Sequence, residues 1–203
     1  MPSLETVGDS LAQLSDADVV RRIRLGEAAL FSMLVERYQQ KLFRFTKRIL
    51  FSEQDAEDAC QNALVKTWKH LHRYDCDRSF STWIFTIAYR EACSILSRRR
   101  PAESEFPDIA DTSSGADDNT SKSDEIDYVW VEAKKILKPK VFQMLWLHYG
   151  EDLPLSDVAR ITSRTTISVK VALFRARQLL ATRLSASRLP SANSVHQLKS
   201  VAP

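Results

Sequence analysis

The chain holds only four glycines in 203 residues, Gly8, Gly26, Gly115 and Gly150, and long stretches run without Gly or Pro. Through those stretches apolar side chains recur three and four residues apart, the spacing of one face of an α-helix. The pattern predicts an all-α protein. Its most informative stretch is residues 77–100, DRSFSTWIFTIAYREACSILSRRR. Asp77 or Ser79 is placed to cap its start. Most of its circumference is apolar, with one polar stripe at helical spacing: Thr82, Thr86, Arg90 and Ser94. It closes on Arg98, Arg99 and Arg100, and Pro101 stops it. Aromatics followed by a guanidinium block suit a surface that stacks bases and holds phosphates. A buried core helix with a solvated basic end fits the same residues.

The charge pattern divides the chain further. The net charge is +3, but residues 41–101 carry twelve basic against seven acidic residues, and residues 130–189 eleven against four. Between them residues 102–129 carry one basic against nine acidic, a net −8. Two basic bodies on one acidic strap suggest two contacts with a polyanion. The polar segment 102–123 cannot bury enough apolar surface to fold alone and reads as a flexible linker. Residues 1–15 are expected to be mobile and residues 186–203 disordered, leaving two helical domains at 16–101 and 124–185. There is no apolar run of membrane-spanning length and no basic, apolar leader. Three scattered cysteines, Cys60, Cys76 and Cys93, suggest a reducing cytosol.

In the first domain Ser15 or Asp16 caps a short helix that Gly26 ends. A long helix follows over 28–50, with Leu34, Tyr38, Leu42, Phe45 and Ile49 among its core-facing residues and basic residues in its last turns. Ser52 with Asp55 forms a capping-box-like start to the next helix. Ala56, Ala59, Cys60, Ala63, Leu64, Thr67, Trp68 and Leu71 form its expected buried stripe. Asp58, Gln61, Asn62 and Val65 are displayed elsewhere, which either compensates the helix dipole or forms a docking face. In the second domain Leu155 to Leu184 reads as a helix-turn-helix. Ser156 caps the first helix, Thr162 to Thr165 form the turn, and Thr166 starts the second helix. Val169, Leu173, Ala176 and Leu180 face the core, and Ile167, Val171, Phe174 and Gln178 face out, flanked by Lys170 and Arg175. The turn lacks Gly, which is tolerable if Ser163 avoids positive φ.

Two stretches taken together, DAEDACQNALVKTWK with SFSTWIFTIAYREACSILSRRR, and LPLSDVARITSRTTISVKVALFRARQLL, resemble the extracytoplasmic-function sigma factors of bacterial RNA polymerase. The likeness covers about residues 16–185 in the family's order: promoter-opening domain, linker, helix-turn-helix domain. It implies that the chain directs core polymerase to promoters and assists melting, without being an enzyme. By the same resemblance Asp55, Asp58 and Gln61 would meet the polymerase clamp. Tyr74, Arg78, Ser79, Thr82, Trp83, Thr86, Arg90, Arg98, Arg99 and Arg100 would receive the −10 element, with one base flipped into the loop at 74–79. Arg164, Thr165, Thr166, Ser168, Lys170, Val171, Phe174 and Arg175 would meet the −35 element. An anti-sigma factor is the further expected partner, lodged between the two domains. The linker would thread the polymerase's RNA-exit path.

The second domain departs from the family pattern. Thr162, Ser163 and Arg164 stand where Leu-Gly-Ile is common. Ile167, Ser168, Val169, Lys170, Val171 and Ala172 replace Gly-Thr-Val-Lys-Ser-Arg. The reading helix thereby loses a hydroxyl and a guanidinium, and Ile167, Val171 and Phe174 make its outer face apolar. Such a face suits a protein partner or thymine methyl groups. A free-standing helix-turn-helix regulator would explain residues 155–184 but not 77–100, and an interaction module for an acidic protein is a third possibility. His70, His72 and Cys76 lack the spacing of a structural zinc site, so neither metal nor cofactor is expected.

Overall fold

The computed structural model describes residues 13–50, 52–99 and 122–186, and the side chains of residues 99, 122–127 and 186 are outside that description. Residues 1–12, nearly all of the linker at 102–123, the tail beyond 186, Arg100 and the Arg99 side chain therefore lie outside the described residues. Every regular element among the described residues is helical. In chain order these are α1 (Asp16–Arg24), α2 (Phe31–Ile49), α3 (Glu53–His70), α4 (Phe80–Arg99), α5 (Lys122–Ile136), α6 (Pro139–Tyr149), α7 (Leu155–Ile161) and α8 (Thr166–Ala186). Short 3-10 turns at Ala28–Leu30 and Leu71–Arg73 lead into α2 and out of α3. The helices fall into two compact units, essentially α1–α4 and α5–α8.

Four helices begin with the same device. A hydroxyl just before the helix accepts from the third amide inside it: Ser15 from Asp18 at 3.2 Å, Ser52 from Asp55 at 3.3 Å, Ser79 from Thr82 at 3.2 Å and Thr165 from Ser168 at 3.2 Å. Each such cap contributes about 1 kcal/mol. Ser79, not Asp77, thus starts α4. The helix-turn-helix forms where the sequence places it, with the turn at 162–165 and the second helix starting at Thr166, but its first helix starts differently. Pro154 precedes α7, and its carbonyl accepts from Asp157 at 2.9 Å and Val158 at 3.1 Å. Ser156 is therefore a first-turn residue and not the cap.

Two helix ends share one motif. After α1 the Gly26 amide reaches Ile23 and the Glu27 amide reaches Arg22; after α7 the Ser163 amide reaches Arg160 and the Arg164 amide reaches Ala159. Both are Schellman closures, which place one residue in left-handed geometry. Gly26 takes it at φ 109°, and Ser163 takes it at φ 53°. The condition set for a turn without Gly, that Ser163 avoid positive φ, is not met, because the reversal into α8 demands this conformation.

In the first unit α2 and α3 approach closely because α3 presents Ala56, Ala59 and Ala63, all fully buried. The Thr46 hydroxyl is buried at this seam, 3.0 Å from the Ala56 carbonyl. Phe45 meets Phe85 edge-on at 5.3 Å, which seats α4 on α2. Full burial of each such ring contributes about 1.5–3 kcal/mol. α1 buries Val19, Val20 and Ile23. Trp68, expected in the buried stripe, is 44% exposed. The inner face of α3 is confined to small side chains, and Trp68 instead lies over Phe31 with ring centroids 4.9 Å apart.

The second unit is built around Trp130 and Trp146, whose rings meet at 4.6 Å. α8 packs on α6 and α5 through Val169, Leu173, Ala176 and Leu180, all buried as the 3.6-residue period predicts.

Candidate nucleic-acid interface

The loop at residues 74–79 is closed by its own side chains. The Tyr74 phenol donates to the Arg78 carbonyl. The Asp75 carboxylate accepts from the Asp77 amide at 3.1 Å and from Arg78 Nε at 3.0 Å. The Tyr74 ring meets Phe80 edge-on at 5.2 Å and leans on Trp83 at 5.3 Å. Burial pushes the Tyr74 phenol up to about 12, so it remains a donor at neutral pH. From α1, Arg24 Nη2 donates to the Leu71 carbonyl at 2.8 Å and to the Tyr74 carbonyl, and Nη1 lies 3.7 Å from Cys76 Sγ. The far end of α1 is held by Asp16, which accepts from Tyr38 at 2.5 Å and Arg37 at 2.8 Å. Burial first, and the Asp16 carboxylate second, hold the Tyr38 phenol far above its ordinary range.

Two of the expected −10 residues do not face solvent. Tyr74 is 3% exposed and Thr82 2% exposed. Tyr74 is the loop's internal prop, and Thr82 sits on α4 where the buried side still includes Phe80, Ile84 and Phe85. The polar stripe therefore opens only beyond the first turn. Thr86 is half-buried and its hydroxyl donates to the Thr82 carbonyl at 2.7 Å. Arg78, Ser79, Arg90 and Arg98 are exposed, and Trp83 is half-buried. The Arg78–Asp75 ion pair is solvent-exposed. Such pairs contribute at most about 1 kcal/mol, so a phosphate can compete for this guanidinium.

On α3, Asp58, Gln61, Asn62 and Val65 are exposed while Ala56, Ala59, Cys60 and Ala63 are buried behind them. Asp55 is half-buried in the first turn. One to two turns beyond Gln61, Leu64, Val65 and Trp68 join Ala28, Phe31 and Ser32 around an open apolar hollow of about 560 Å³.

On α8 the outer face is apolar, as expected: Ile167 is 77% exposed, Phe174 51% and Val171 42%. Arg164, Thr165, Thr166, Lys170 and Arg175 are exposed around it, and Ser168 is half-buried. The Thr165 hydroxyl accepts the Ser168 amide as the helix cap. From Thr166 to Ala186 the helix carries basic residues and no acidic one.

Sequence reasoning missed Arg24. It stands in the last turn of a short helix, where a cation also suits the helix dipole, and nothing local marks its partners 47 to 52 residues away. The exposed Trp68 and its hollow were missed for the same kind of reason.

The comparisons with known proteins match both units. A family model for sigma-70 region 2 covers residues 34–101, and one for sigma-70 region 4 covers residues 131–180. The chain is 28% identical over 179 residues to the ECF RNA polymerase sigma-E factor of Escherichia coli, covering 83% of this chain and 93% of that one. The RNA polymerase sigma-H factor of Pseudomonas aeruginosa is 26% identical over 181 residues, covering 84% and 94%. The chain belongs to the extracytoplasmic-function (ECF) sigma factors. The fold agrees. CnrH, solved in complex with the cytosolic domain of CnrY, superposes with a TM-score of 0.62 at 22% identity, covering 84% of this chain and 97% of that one. The sigma factor RpoE of Bartonella quintana, solved with the anti-sigma factor NepR, gives 0.60 at 20% identity, covering 78% and 98%. In this ECF sigma factor the region 2 match begins at residue 34, so α1 precedes it. As a sigma factor the chain directs RNA polymerase to promoters in transcription initiation. No helix among the described residues is long and apolar enough to cross a membrane.

Proposed function

We propose that this ECF sigma factor docks on core polymerase through the outward face of α3, receives the −10 element on the loop at 74–79 and the exposed side of α4, and meets the −35 element with α8. The observation that carries the docking assignment is the exposure of Asp58 and Gln61 on a helix whose opposite side is sealed against α2. Asp55, half-buried in the first turn, adds negative charge at the near end of this face. The hollow at Val65 and Trp68 extends it with apolar surface.

Promoter opening then follows from the loop. Extruding a base costs a few kcal/mol, and stacking on a ring such as Trp83 returns about 1–3 kcal/mol. Arg78, Ser79 and Arg90 are exposed to meet the strand, and Thr86 shapes the surface. Arg98, with Arg99 and Arg100, holds phosphates beyond it. Tyr74 and Thr82 support this surface from within. On α8 and the turn before it, Arg164, Thr165, Thr166, Lys170 and Arg175 serve the duplex backbone, and Ser168, Val171 and Phe174 face the bases.

The chain makes and breaks no bond itself; nucleotidyl transfer belongs to the polymerase, and the site of action is the cytoplasm. An anti-sigma factor that covers the α3 and α8 faces is the restraining partner, a reading supported by relatives solved with CnrY and NepR. Runoff transcription with core polymerase tests the whole assignment. The double variant Asp58→Ala with Gln61→Ala is expected to lose core affinity at unchanged helicity, since exposed substitutions alter stability by under about 0.5 kcal/mol. Unchanged affinity for core would remove the docking face.

A further inference from the structure

We infer that Arg24 is a positioning residue for the base-reading loop at 74–79, a role that rests on the function proposed above. One guanidinium reaches three successive parts of the path into the loop: the Leu71 carbonyl at 2.8 Å, the Tyr74 carbonyl, and Cys76 Sγ at 3.7 Å. The bonds among Tyr74, Asp75, Asp77 and Arg78 close the loop on itself. Arg24 ties it to another helix. That helix is anchored in turn, by Val19, Val20 and Ile23 in the core and by Asp16 to Tyr38 and Arg37 on α2. The tie therefore runs from the core of the first unit, through α1, to the backbone of the loop.

The chemistry suits a guanidinium. Its planar fork offers several fixed donors, so one side chain serves two carbonyls and still reaches the thiol, whereas an ammonium is a point charge on a flexible stem. The energetic consequence is preorganisation. A loop already held in one shape avoids the ordering cost that a free loop meets when it closes on a captured base. Arg24 does not have to touch DNA to act; its effect passes through Tyr74, whose ring supports Trp83.

The test uses the full chain with Arg24→Ala and Arg24→Lys, and Arg24→Gln as a variant that keeps part of the stem should alanine not fold. Amide hydrogen exchange reads the loop directly. Runoff transcription by holoenzyme from a promoter library randomised through the −10 element reads base preference. Core affinity and thermal melting serve as controls. In Arg24→Ala, exchange at residues 74–79 is expected to quicken about tenfold, the scale of removing one charged hydrogen bond. Preference at the captured base is expected to flatten by a similar factor while core affinity holds, and lysine should restore part of both. A folded variant with unchanged loop exchange and unchanged −10 preference overturns the proposal. So does exchange that quickens uniformly over α1–α4, because Arg24 would then support the unit as a whole. A wild-type chain that initiates with no preference at any −10 position overturns the functional reading itself, and the exchange measurement then decides the tie alone.

Discussion

A Cβ added to Gly150 would lie 2.8 Å from Cδ2 of Trp146. Gly150 closes α6 with its amide 2.7 Å from the Trp146 carbonyl, at φ −90°, so its backbone is open to any residue. The constraint is Trp146, which brings two ring carbons to 2.8 and 2.9 Å and its own carbonyl oxygen to 2.9 Å of that Cβ. Trp146 is held by Trp130 at 4.6 Å and donates its indole N–H to Glu151 at 3.1 Å. It cannot withdraw without disturbing the core of the second unit. Gly150→Ala is therefore expected to destabilise that unit by about 1–3 kcal/mol, the usual cost of overpacking. Thermal melting of the full chain checks this, and an unshifted transition would mean that both the ring and the end of α6 yield freely.

Ser163 makes the opposite prediction. It occupies the left-handed position of the same closure that Gly26 completes after α1. A residue with Cβ there is disfavoured by about 1–2 kcal/mol, while glycine adopts the conformation without a steric cost. Ser163→Gly should raise the melting temperature of the full chain, with a net gain of about 1 kcal/mol. A lower melting point would show that the serine side chain makes a contact worth more than the backbone strain.

The arginine block at the end of α4 should be visible in salt titrations. Changing Arg98, Arg99 and Arg100 to alanine is expected to weaken promoter binding by holoenzyme. Every phosphate that these side chains neutralise in the wild type should, once they are removed, flatten the log–log salt dependence by about 0.9 on duplex DNA. An unaltered slope would mean that these guanidinium groups touch no phosphate.

The apolar face of α8 leads to a test at the level of one methyl group. Ile167, Val171 and Phe174 are exposed among Arg164, Lys170 and Arg175, so the face can enter a major groove and meet thymine methyls. In a −35 element selected from a randomised library, uracil for thymine should weaken holoenzyme binding about fourfold per contacted methyl, from about 0.8 kcal/mol per buried group. Equal binding of the uracil and thymine promoters would remove methyl readout and leave this face to the anti-sigma partner. Val171→Ser with Ile167→Gly should then loosen that partner. The Gly adds a helix cost of about 1 kcal/mol that a melting control must separate.

Features decided within a few residues were open to sequence reasoning. Ser15, Ser52 and Ser79 cap helices because each hydroxyl reaches an amide three residues on, a relation that the chain carries locally. The two faces of α8 were likewise legible, since Val169, Leu173, Ala176 and Leu180 share one side of a 3.6-residue period whatever they pack against. The exposure of Asp58 and Gln61 follows from the same arithmetic on α3.

What the tertiary structure alone decided involves partners far apart in sequence. The family resemblance put Thr82 and Tyr74 on the DNA surface, and both are buried. Their burial depends on how closely α4 and its loop sit against α2, which periodicity within one helix does not report. Trp68 looked like core and is exposed, because the buried side of α3 runs through small side chains down to Thr67 and leaves Trp68 over Phe31 at the rim of an open hollow. Whether Ser163 enters left-handed space was left open by its sequence, and the closure of α7 into α8 placed it there. Arg24 shows the limit most clearly. Its type and place at a helix end were legible at once, but its bonds to Leu71 and Tyr74 span 47 and 50 residues. Chain connectivity carries no distance across such a separation; only the packed core of the first unit brings those carbonyls within reach.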